Sequence, residues 1–550
     1  MPGRLSRHPP VMVLACLTTG LLMACGGGAS PLPVPLTPAP SRAAPTASAV
    51  RPVAPPTVTV PPDIGTVVPV GVSLPRFESA PCSFRLAAGQ VEGQNVICGD
   101  VIVPEHHADP YGATIRLAVA RFKGRSAARD AAATIYLTGG PGDSILSSPD
   151  PAWFAFQQLD TSDFILFDQR GTGNSTPSLD CPEVKDQIRL DYTLALTHNE
   201  DDSHALSAAL ACRDRLMKQG VALNAYTSEE SAADVNDIRT VFGYATINLL
   251  GVSYGTRLAL TIMRDFPDTV RSAVLDSVVP PQVAVLSESA ANFAYALDAD
   301  FTACIGQGAC HVGVATLDAD LGTVVGRLNV NPVTLHVLEP QSGTTRTLVI
   351  TGDRLMTLIY GWLYSPIYGG NVPAMIEELK GGVTTMLINA VTPTFFYRPV
   401  FALDLGMFYS VSCGELVTDA HGAAPPIQTG IPASIRETIG VSGIYPPATF
   451  ATCTQWPVQQ GRPTDRQPVV SAVPTLILES ANDPVTPPAY GQMVARTLAR
   501  SVYLEVPGNG HGVMGYPCGT AMTQAFLTAP TRTLDTACTN TFGTIYTGTR

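Results

Sequence analysis

Residues 247–255 read Ile247-Asn248-Leu249-Leu250-Gly251-Val252-Ser253-Tyr254-Gly255, in a chain of 550 residues. The apolar run predicts a buried strand, and a helical stretch begins at Arg257. Between them lies a Gly-x-Ser-x-Gly pattern, whose glycines let the backbone turn sharply and hold the serine hydroxyl exposed at the end of a sheet. A glycine-rich turn with an idle serine is the alternative. We predict that Ser253 is a nucleophile.

A serine hydroxyl attacks well only when a neighbouring base takes its proton. His511 lies among glycines in Gly508-Asn509-Gly510-His511-Gly512, on a loop after a late strand. The imidazole needs a carboxylate to hold its tautomer. Asp483 follows the preceding strand and is the favoured partner, and Glu479 is the alternative. Ser253, Asp483 and His511 are therefore the predicted catalytic triad.

Acyl transfer also needs backbone N–H groups that stabilise the oxyanion. Tyr254, directly after the nucleophile, is one predicted donor. The second donor is expected from a glycine-rich loop after an early strand, and Thr138-Gly139-Gly140-Pro141-Gly142 has that position. An ordinary tight turn is the alternative for this loop.

Apolar, β-branched runs alternate with helical stretches, which predicts an α/β fold with a mostly parallel sheet flanked by helices. The predicted strands are Asn95–Val103, Thr114–Phe122, Ala133–Leu137, Phe164–Phe167, Ile247–Gly251, Ala273–Val279, Thr475–Leu478 and Val502–Val506. The predicted helices include Ser228–Phe242, Arg257–Asp265, Asp353–Tyr364 and Val372–Leu379. The long gap before residue 475 holds helical patterns and a hairpin pattern (Val333–Val337 with Thr347–Ile350). We predict that residues 284–465 form an inserted, largely helical cap.

Composition excludes several classes of function. The net charge is −12, from 33 Lys and Arg against 45 Asp and Glu, and no basic stripe is present that could neutralise phosphates. A nucleic-acid partner is therefore not expected. Hydrophobic residues make up 45% of the chain, which excludes disorder for most of its length. No Cys-x-x-Cys is present and no Cys/His pair has metal-ligand spacing, so a zinc site is not predicted. The mechanism expected for the predicted triad needs no metal or organic cofactor.

The N-terminus is predicted to be a targeting signal. A basic start precedes an apolar run that is too short to span a membrane as a mature helix. Leu22-Met23-Ala24-Cys25 then resembles a bacterial lipoprotein cleavage box. Residues 1–24 would be the signal peptide, and Cys25 would be the lipidated first residue of the mature chain. An ordinary secretory signal and cleavage before Cys16 are the alternatives.

Residues 25–75 are predicted to be a tether without a packed core. Residues 26–62 hold 11 prolines with small residues between them. The chain would then be an exported bacterial protein of the cell envelope, held to the membrane by its lipid alone or released to the medium.

Ten cysteines remain in the rest of the chain, and an even number in an exported protein favours disulfides. They are Cys82, Cys98, Cys181, Cys212, Cys304, Cys310, Cys413, Cys453, Cys518 and Cys538. The sequence leaves their connectivity open, and pairing of nearest neighbours would give five local bridges.

Four motifs, taken in this order, resemble the prolyl and tripeptidyl aminopeptidase branch of the α/β-hydrolases. They are Thr138-Gly139-Gly140-Pro141-Gly142, Asp168-Gln169-Arg170-Gly171-Thr172-Gly173-Asn174-Ser175, Gly251-Val252-Ser253-Tyr254-Gly255 and Asp483-Pro484-Val485-Thr486-Pro487. The resemblance covers roughly residues 82–538. It implies an α/β-hydrolase core made of residues 76–283 and 466–550, with the cap between them. It also implies a serine exopeptidase that releases one residue, proline included, or a short peptide from a free N-terminus.

The resemblance extends to further residues. It implies that Gly140 is the second oxyanion donor and that Asp168-Gln169-Arg170-Gly171 shapes the active-site loops. Val411-Ser412-Cys413-Gly414-Glu415 is similar to a Ser-Cys-x-Glu stretch of the family, so Glu415 is expected to hold the substrate's ammonium group by a charge-assisted hydrogen bond. A solvated surface carboxylate is the alternative. The chain departs from the family at Thr138, where histidine is usual, and local hydrogen bonding by threonine is expected to preserve the loop.

The expected mechanism is attack by Ser253 on the substrate carbonyl, with His511 as the base. An esterase or lactone hydrolase with the same triad is the nearest alternative, because the fold does not distinguish the two reactions. A surface-binding lipoprotein without turnover is a further alternative. The expected partner is a peptide with a free N-terminus, or a small ester.

Overall fold

The computed structural model describes residues 74–124, 132–147, 162–339, 342–397, 403–417, 447–508, 510–543 and 546. They all belong to one compact unit, residues 62–550. The predicted signal peptide, Cys25 and the tether up to residue 73 lie outside the described residues. Within these ranges, no helix combines the length and the apolar character that crossing a membrane requires.

A nine-stranded sheet forms the centre of the unit, in the order β1-β2-β3-β5-β4-β6-β7-β10-β11. The first three neighbouring pairs are antiparallel, and the pairs from β5 to β11 are parallel. Its strands are β1 Arg76–Ser79, β2 Val96–Pro104, β3 Thr114–Phe122, β4 Ala133–Leu137, β5 Phe164–Phe167, β6 Ile247–Val252, β7 Val270–Asp276, β10 Thr475–Ser480 and β11 Ser501–Val506. A separate antiparallel hairpin pairs β8 Val333–Leu338 with β9 Thr345–Ile350.

The described residues also contain α-helices before, between and after these strands. They are α1 Pro182–Asp191, α2 His198–Lys218, α3 Ser228–Val241, α4 Tyr254–Asp265, α5 Val285–Gly306, α6 Val314–Val330, α7 Gly352–Leu363, α8 Pro366–Gly369, α9 Val372–Lys380, α10 Thr385–Tyr397, α11 Leu405–Val411, α12 Pro447–Cys453, α13 Pro488–Ala495 and α14 Pro517–Thr528. A π-helical turn, Ser412–Leu416, follows α11 directly.

Both faces of the sheet are covered, which explains why its inner strands are apolar throughout. One face packs against α3, α4 and α13 through side chains such as Ile238 and Leu258. The other packs against α14 through Met522 and Phe526. Every residue of β4, β5 and β10 is buried. Burial on both faces is the usual environment of parallel strands, as the sequence pattern predicted.

The segment between β7 and β10 contains α5–α12 and the hairpin, and its first half has its own hydrophobic core. That core includes Phe293, Phe301, Leu355 and Trp362. The second half packs elsewhere: Phe408 and Trp456 share a cluster with Leu216 of α2. The helices that follow β5 therefore contact the segment predicted as the cap, a long-range contact that the pattern of the sequence did not indicate.

Five disulfides join each of the ten cysteines to its nearest neighbour in the sequence. The pairs are Cys82–Cys98, Cys181–Cys212, Cys304–Cys310, Cys413–Cys453 and Cys518–Cys538. The sequence separations run from 6 to 40 residues, so each bridge closes a local loop. Closing such a loop restricts the unfolded chain and stabilises the fold by about 2–4 kcal/mol per bridge.

Candidate active site

Ser253 lies at the sharp turn between β6 and α4. Its backbone has φ 55° and ψ −125°, a conformation that residues other than glycine rarely adopt. The flanking glycines are required by close contacts. A Cβ at Gly251 would lie 2.5 Å from the carbonyl oxygen of Gly255, and a Cβ at Gly255 would collide with the carbonyl of Leu137. This is the geometry of a nucleophile elbow.

Asp483 and His511 form a hydrogen-bonded pair at the carboxyl ends of β10 and β11. The Nδ1 of His511 lies 2.7 Å from Oδ2 of Asp483, whose side chain is fully buried. The other oxygen of Asp483 accepts the backbone N–H groups of Val485 and Thr486, at 2.8 and 2.9 Å. These bonds fix the carboxylate, so it can hold the imidazole in one orientation and stabilise its protonated form.

The loop that carries the histidine, residues 510–514 (the histidine loop), is anchored through its backbone. Five consecutive N–H groups each have an acceptor: Gly510 donates to Asn482 Oδ1, His511 to Tyr364 O, Gly512 to Ser277 Oγ, and Val513 and Met514 to the carboxylate of Asp276. The acceptors come from three separate parts of the chain. The position of the imidazole is therefore set by elements that lie far apart in the sequence.

The end of β7 links the histidine loop to the nucleophile. The N–H of Ser253 donates to the carbonyl of Asp276 at 2.9 Å. The Asp276 carboxylate is fully buried, and burial raises its pKa to about 6, although the N–H groups of Met514 and Val513 oppose the shift. Asp276 thus contacts both sides of the site through its backbone and its side chain.

The glycine-rich loop 138–142 lies against the nucleophile. A Cβ at Gly139 would be 3.1 Å from the Cβ of Ser253, and Gly140 has φ 104°. Thr138 donates its hydroxyl to Asp143 at 3.2 Å, and Gln169 donates to the carbonyl of Thr138 at 3.0 Å. Local hydrogen bonding by Thr138 therefore closes the loop, as expected.

A small pocket, partly open to solvent, adjoins the serine. Ser253, Tyr254 and Gly140 lie together on its wall. The remaining lining residues in the described part of the chain are Val279, Val285, Leu286, Ser289, Tyr360, Leu416 and Val485. The site thus combines a strained serine, a glycine-rich loop and an apolar pocket at the carboxyl edge of a parallel sheet, where α/β enzymes bind their ligands.

Comparison with known protein families agrees with this geometry. The family model described as alpha/beta hydrolase fold matches residues 135–310, which include the glycine-rich loop and Ser253. The model described as TAP-like protein matches residues 444–538, which include Asp483 and His511. The chain has the α/β-hydrolase fold. With serine at the elbow, it is a serine hydrolase.

Three relatives match most of the length of this hydrolase. A tripeptidyl aminopeptidase of Streptomyces lividans is 27% identical over 468 residues, 80% of this chain and 83% of the relative. The serine protease Hip1 of Mycobacterium tuberculosis is 27% identical over 467 residues, 80% of this chain and 85% of that protein. Carboxylesterase B of Mycobacterium tuberculosis is 27% identical over 420 residues, 73% and 78% of the two chains.

The motif Asp168-Gln169-Arg170-Gly171 has structural contacts in this hydrolase. The guanidinium of Arg170 is fully buried and makes two 2.7 Å bonds to Asp234 of α3. Asp168 accepts N–H groups from Leu146 and Asn174, at 2.9 and 2.8 Å. The motif therefore ties the loops beside the glycine-rich loop to the helix layer, in agreement with the structural role expected for it.

Glu479, the alternative to Asp483, bonds to the chain that follows β7. Its side chain is fully buried, and its Oε1 accepts the N–H of Val278 at 3.1 Å. Burial raises its pKa well above the usual range of a carboxyl group, and the neighbouring Asp483 adds to the shift. The hydrogen bond of His511 Nδ1 at 2.7 Å is to Asp483, so the geometry favours Asp483 as the partner of the imidazole.

The environment of Glu415 differs from the one expected. Its Oε2 lies 3.1 Å from Nε of the buried Arg257 and 2.5 Å from the hydroxyl of Ser228, and its Oε1 accepts the N–H of Ser228 at 2.7 Å. Its neighbour Leu416, rather than Glu415 itself, lines the described cavity. An ammonium anchor needs a carboxylate that faces the substrate, whereas this carboxylate already neutralises Arg257. The structure thus gives no support to the predicted role of Glu415.

Sequence reasoning missed the residues that hold the histidine loop. Asp276 and Ser277 were placed inside a strand predicted to run from Ala273 to Val279, whereas β7 ends at Asp276. The valines at 278 and 279 continue the apolar pattern but are buried by other contacts. A polar Asp-Ser pair at the end of an apolar strand was the available signal, since functional side chains cluster at that edge.

Proposed function

We propose that this α/β-hydrolase is an exported serine aminopeptidase that releases an N-terminal residue or a short peptide. The observation that carries the proposal is the Asp483–His511 pair in a chain that has a strained serine elbow and is similar over 80% of its length to a tripeptidyl aminopeptidase. The similarity to the serine protease Hip1 supports the same class of substrate.

The proposed reaction uses the triad and two backbone N–H groups of this chain, with water as the second nucleophile. Ser253 attacks the carbonyl carbon of the scissile peptide bond while His511 accepts the hydroxyl proton, and Asp483 stabilises the imidazolium. The N–H groups of Tyr254 and Gly140 stabilise the oxyanion. The C–N bond breaks, the departing amine takes the proton from His511, and an acyl-enzyme remains. Water, deprotonated by His511, then releases the acyl group and restores the serine.

The apolar cavity suggests which acyl groups fit. Val285, Leu286 and Leu416 would contact the side chain of the residue whose carbonyl is attacked. Burying a charged side chain against such walls without a partner is costly. We propose that this residue is uncharged and apolar, proline and alanine included.

The test compares substrates that differ in one group. Free and N-acetylated aminoacyl, prolyl and tripeptidyl p-nitroanilides are assayed with the protein and with Ser253→Ala. Cleavage of the free-amine anilides alone, lost in Ser253→Ala, is the expected result. Equal cleavage of acetylated substrates would refute exopeptidase selectivity, and cleavage that persists in Ser253→Ala would refute the nucleophile.

An esterase is the second candidate, because carboxylesterase B is among the relatives. Short p-nitrophenyl esters, assayed beside the anilides, distinguish the two. Hydrolysis of the esters without any anilide cleavage would assign the same triad to ester substrates.

Export and lipidation form a separate part of the proposal. They rest on the basic and apolar start of the chain and on the Leu22-Met23-Ala24-Cys25 box. Metabolic labelling with a radioactive fatty acid should mark the protein in bacterial membranes, and Cys25→Ala should abolish the label. Labelling that persists in Cys25→Ala would refute this site.

A further inference from the structure

The end of helix α7 lies against the histidine loop. The carbonyl of Tyr364, directly after α7, accepts the N–H of His511 at 3.1 Å. A Cβ at Gly510, whose φ is 72°, would lie 2.5 Å from the carbonyl oxygen of Leu363 and 2.6 Å from that of Tyr364. Glycine at 510 therefore lets the two backbones approach this closely. The loop that carries the histidine packs directly on the segment between β7 and β10.

The side chain of Tyr364 contacts the imidazole as well. The centroids of the two rings are 5.0 Å apart and their planes make an angle of 66°. Both values are typical of an edge-to-face pair of rings. The side chain of His511 is only 9% exposed. Tyr364 thus contacts His511 twice, through its backbone carbonyl and through its ring.

The ring of Tyr364 is itself held by two further aromatic residues. It packs on Tyr360, with centroids 5.4 Å apart, and its hydroxyl donates to the hydroxyl of Tyr360 at 3.4 Å. Tyr360 packs in turn on Phe293 at 5.5 Å, and Phe293 is fully buried in the core of the segment between β7 and β10. Tyr360 also lies on the wall of the pocket beside Ser253. One row of rings therefore borders both the pocket and the imidazole.

The hydrogen bond to Asp483 fixes the imidazole at one atom. It joins Nδ1 of His511 to the carboxylate at 2.7 Å. A single hydrogen bond at Nδ1 leaves the plane of the ring able to tilt. Tilting would move Nε2, the atom that must accept the hydroxyl proton of Ser253. Proton transfer requires a short and well-aligned contact, so a second restraint on the ring favours the reaction.

We infer that Tyr364 is a positioning residue for His511. Its ring restricts the tilt of the imidazole and keeps Nε2 directed at the hydroxyl of Ser253. This inference rests on the proposed function, since His511 must act as the base. It also gives the segment between β7 and β10 a part in catalysis, in addition to its part in the pocket wall.

The experiment measures activation of the serine without a natural substrate. When a fluorophosphonate reacts, Ser253 forms a bond to phosphorus, fluoride leaves, and His511 takes the hydroxyl proton. The rate constant of this labelling is measured for the protein and for Tyr364→Leu, Tyr364→Met and Tyr364→Phe. Two variants without the ring are included so that the test does not depend on the folding of one of them. Melting temperatures, and kcat and KM on the best anilide or ester, are measured beside it.

Tyr368→Leu is the matched control. Tyr368 is also a half-buried tyrosine that packs against the core of the segment between β7 and β10, and it lies in the next helix, α8. Every substitution keeps the backbone carbonyl of residue 364, so the hydrogen bond from His511 stays possible. The comparison therefore tests the ring alone.

We expect Tyr364→Leu and Tyr364→Met to slow the labelling and kcat by roughly 10- to 50-fold, since a displacement of about 1 Å can cost about 100-fold. KM should stay within about twofold, because Tyr360 keeps its place on Phe293 and on the pocket wall. Tyr364→Phe keeps the ring and should recover the rate to within about threefold. Tyr368→Leu should react like the unchanged protein.

Several results would overturn the inference. Labelling of Tyr364→Leu and Tyr364→Met at the native rate would exclude the role of the ring while leaving the triad intact. Equal losses in Tyr364→Leu and Tyr368→Leu would show a general packing effect. A loss in Tyr364→Phe as large as in Tyr364→Leu would exclude the ring contact as the cause. If the unchanged protein did not react at all, both the proposed function and this inference would fall. If it reacted but cleaved no anilide, the proposed substrate would be wrong and the labelling rates would still decide the inference.

Discussion

Replacement of Glu415 should destabilise the fold rather than remove recognition of the substrate's amine. Its carboxylate is 5% exposed and pairs at 3.1 Å with Arg257, which is 1% exposed. It also accepts two hydrogen bonds from Ser228, the first residue of α3, where a negative charge favours the helix N-terminus. Glu415→Ala would leave a buried guanidinium without its counter-charge.

The expected loss in the free energy of unfolding follows from these contacts. Breaking a buried ion pair by removing one partner costs about 3–5 kcal/mol. Arg257 keeps bonds to the carbonyls of Pro280, Pro281 and Asp465, so the loss should lie near the lower limit. Glu415→Gln can still accept from Ser228 and should lose less, about 1.5–3 kcal/mol, because a charged hydrogen bond is lost.

Urea unfolding followed by circular dichroism measures the loss. Glu183→Ala serves as the control, because Glu183 pairs with Arg215 at 2.6 Å but both side chains are partly exposed. Glu183→Ala should lower the free energy of unfolding by no more than about 1 kcal/mol. The reasoning would be refuted if Glu415→Gln kept full stability while losing the preference for free over acetylated N-termini, because the carboxylate would then act on the substrate.

Three further outcomes are expected. Asp483→Asn should lower kcat about 10⁴-fold while circular dichroism stays unchanged, because His511 loses the carboxylate that fixes its tautomer; a loss below tenfold would contradict that role. Burial opposes the charge of His107, but hydrogen bonds to two carboxylates of α3 outweigh it and raise its pKa to about 9. Its contribution to stability should be complete below about pH 6.5 and vanish as the pH rises through 9, and unfolding curves of His107→Gln should lack that dependence. Replacing Cys413 and Cys453 together by alanine should reduce the free energy of unfolding by about 2–4 kcal/mol, and an unchanged urea midpoint would contradict the bridge.

The sequence predicted the sheet best where strands are buried on both faces. The bounds expected for Thr114–Phe122, Ala133–Leu137 and Phe164–Phe167 agree with β3, β4 and β5. Continuous apolar runs between turn residues leave little choice of boundary there. Strand β1, Arg76–Ser79, is not predicted, because it is a short, half-exposed edge strand with a single apolar residue.

The catalytic residues could also be predicted from local sequence, because they lie near strand boundaries. Ser253, Asp483 and His511 each lie within five residues of the end of a strand, so local sequence marks them. The environment of Glu415 could not be predicted, because its partner Arg257 lies 158 residues away and the contact depends on how the segment between β7 and β10 packs. The anchors of the histidine loop share this property, since Tyr364 and Asn482 approach it only in the folded chain.

Ser277, the strained residue after β7, helps to fix the histidine loop relative to the nucleophile. Ser277 has φ 60°, a conformation that costs about 1–3 kcal/mol for a residue other than glycine. It is held there by two bonds, from its N–H to the carbonyl of Leu478 and from the N–H of Gly512 to its hydroxyl. The preceding Asp276 meanwhile accepts the N–H of Ser253. Because one dipeptide holds both the nucleophile and the loop of the base, a shift of β7 would move both together and preserve their separation.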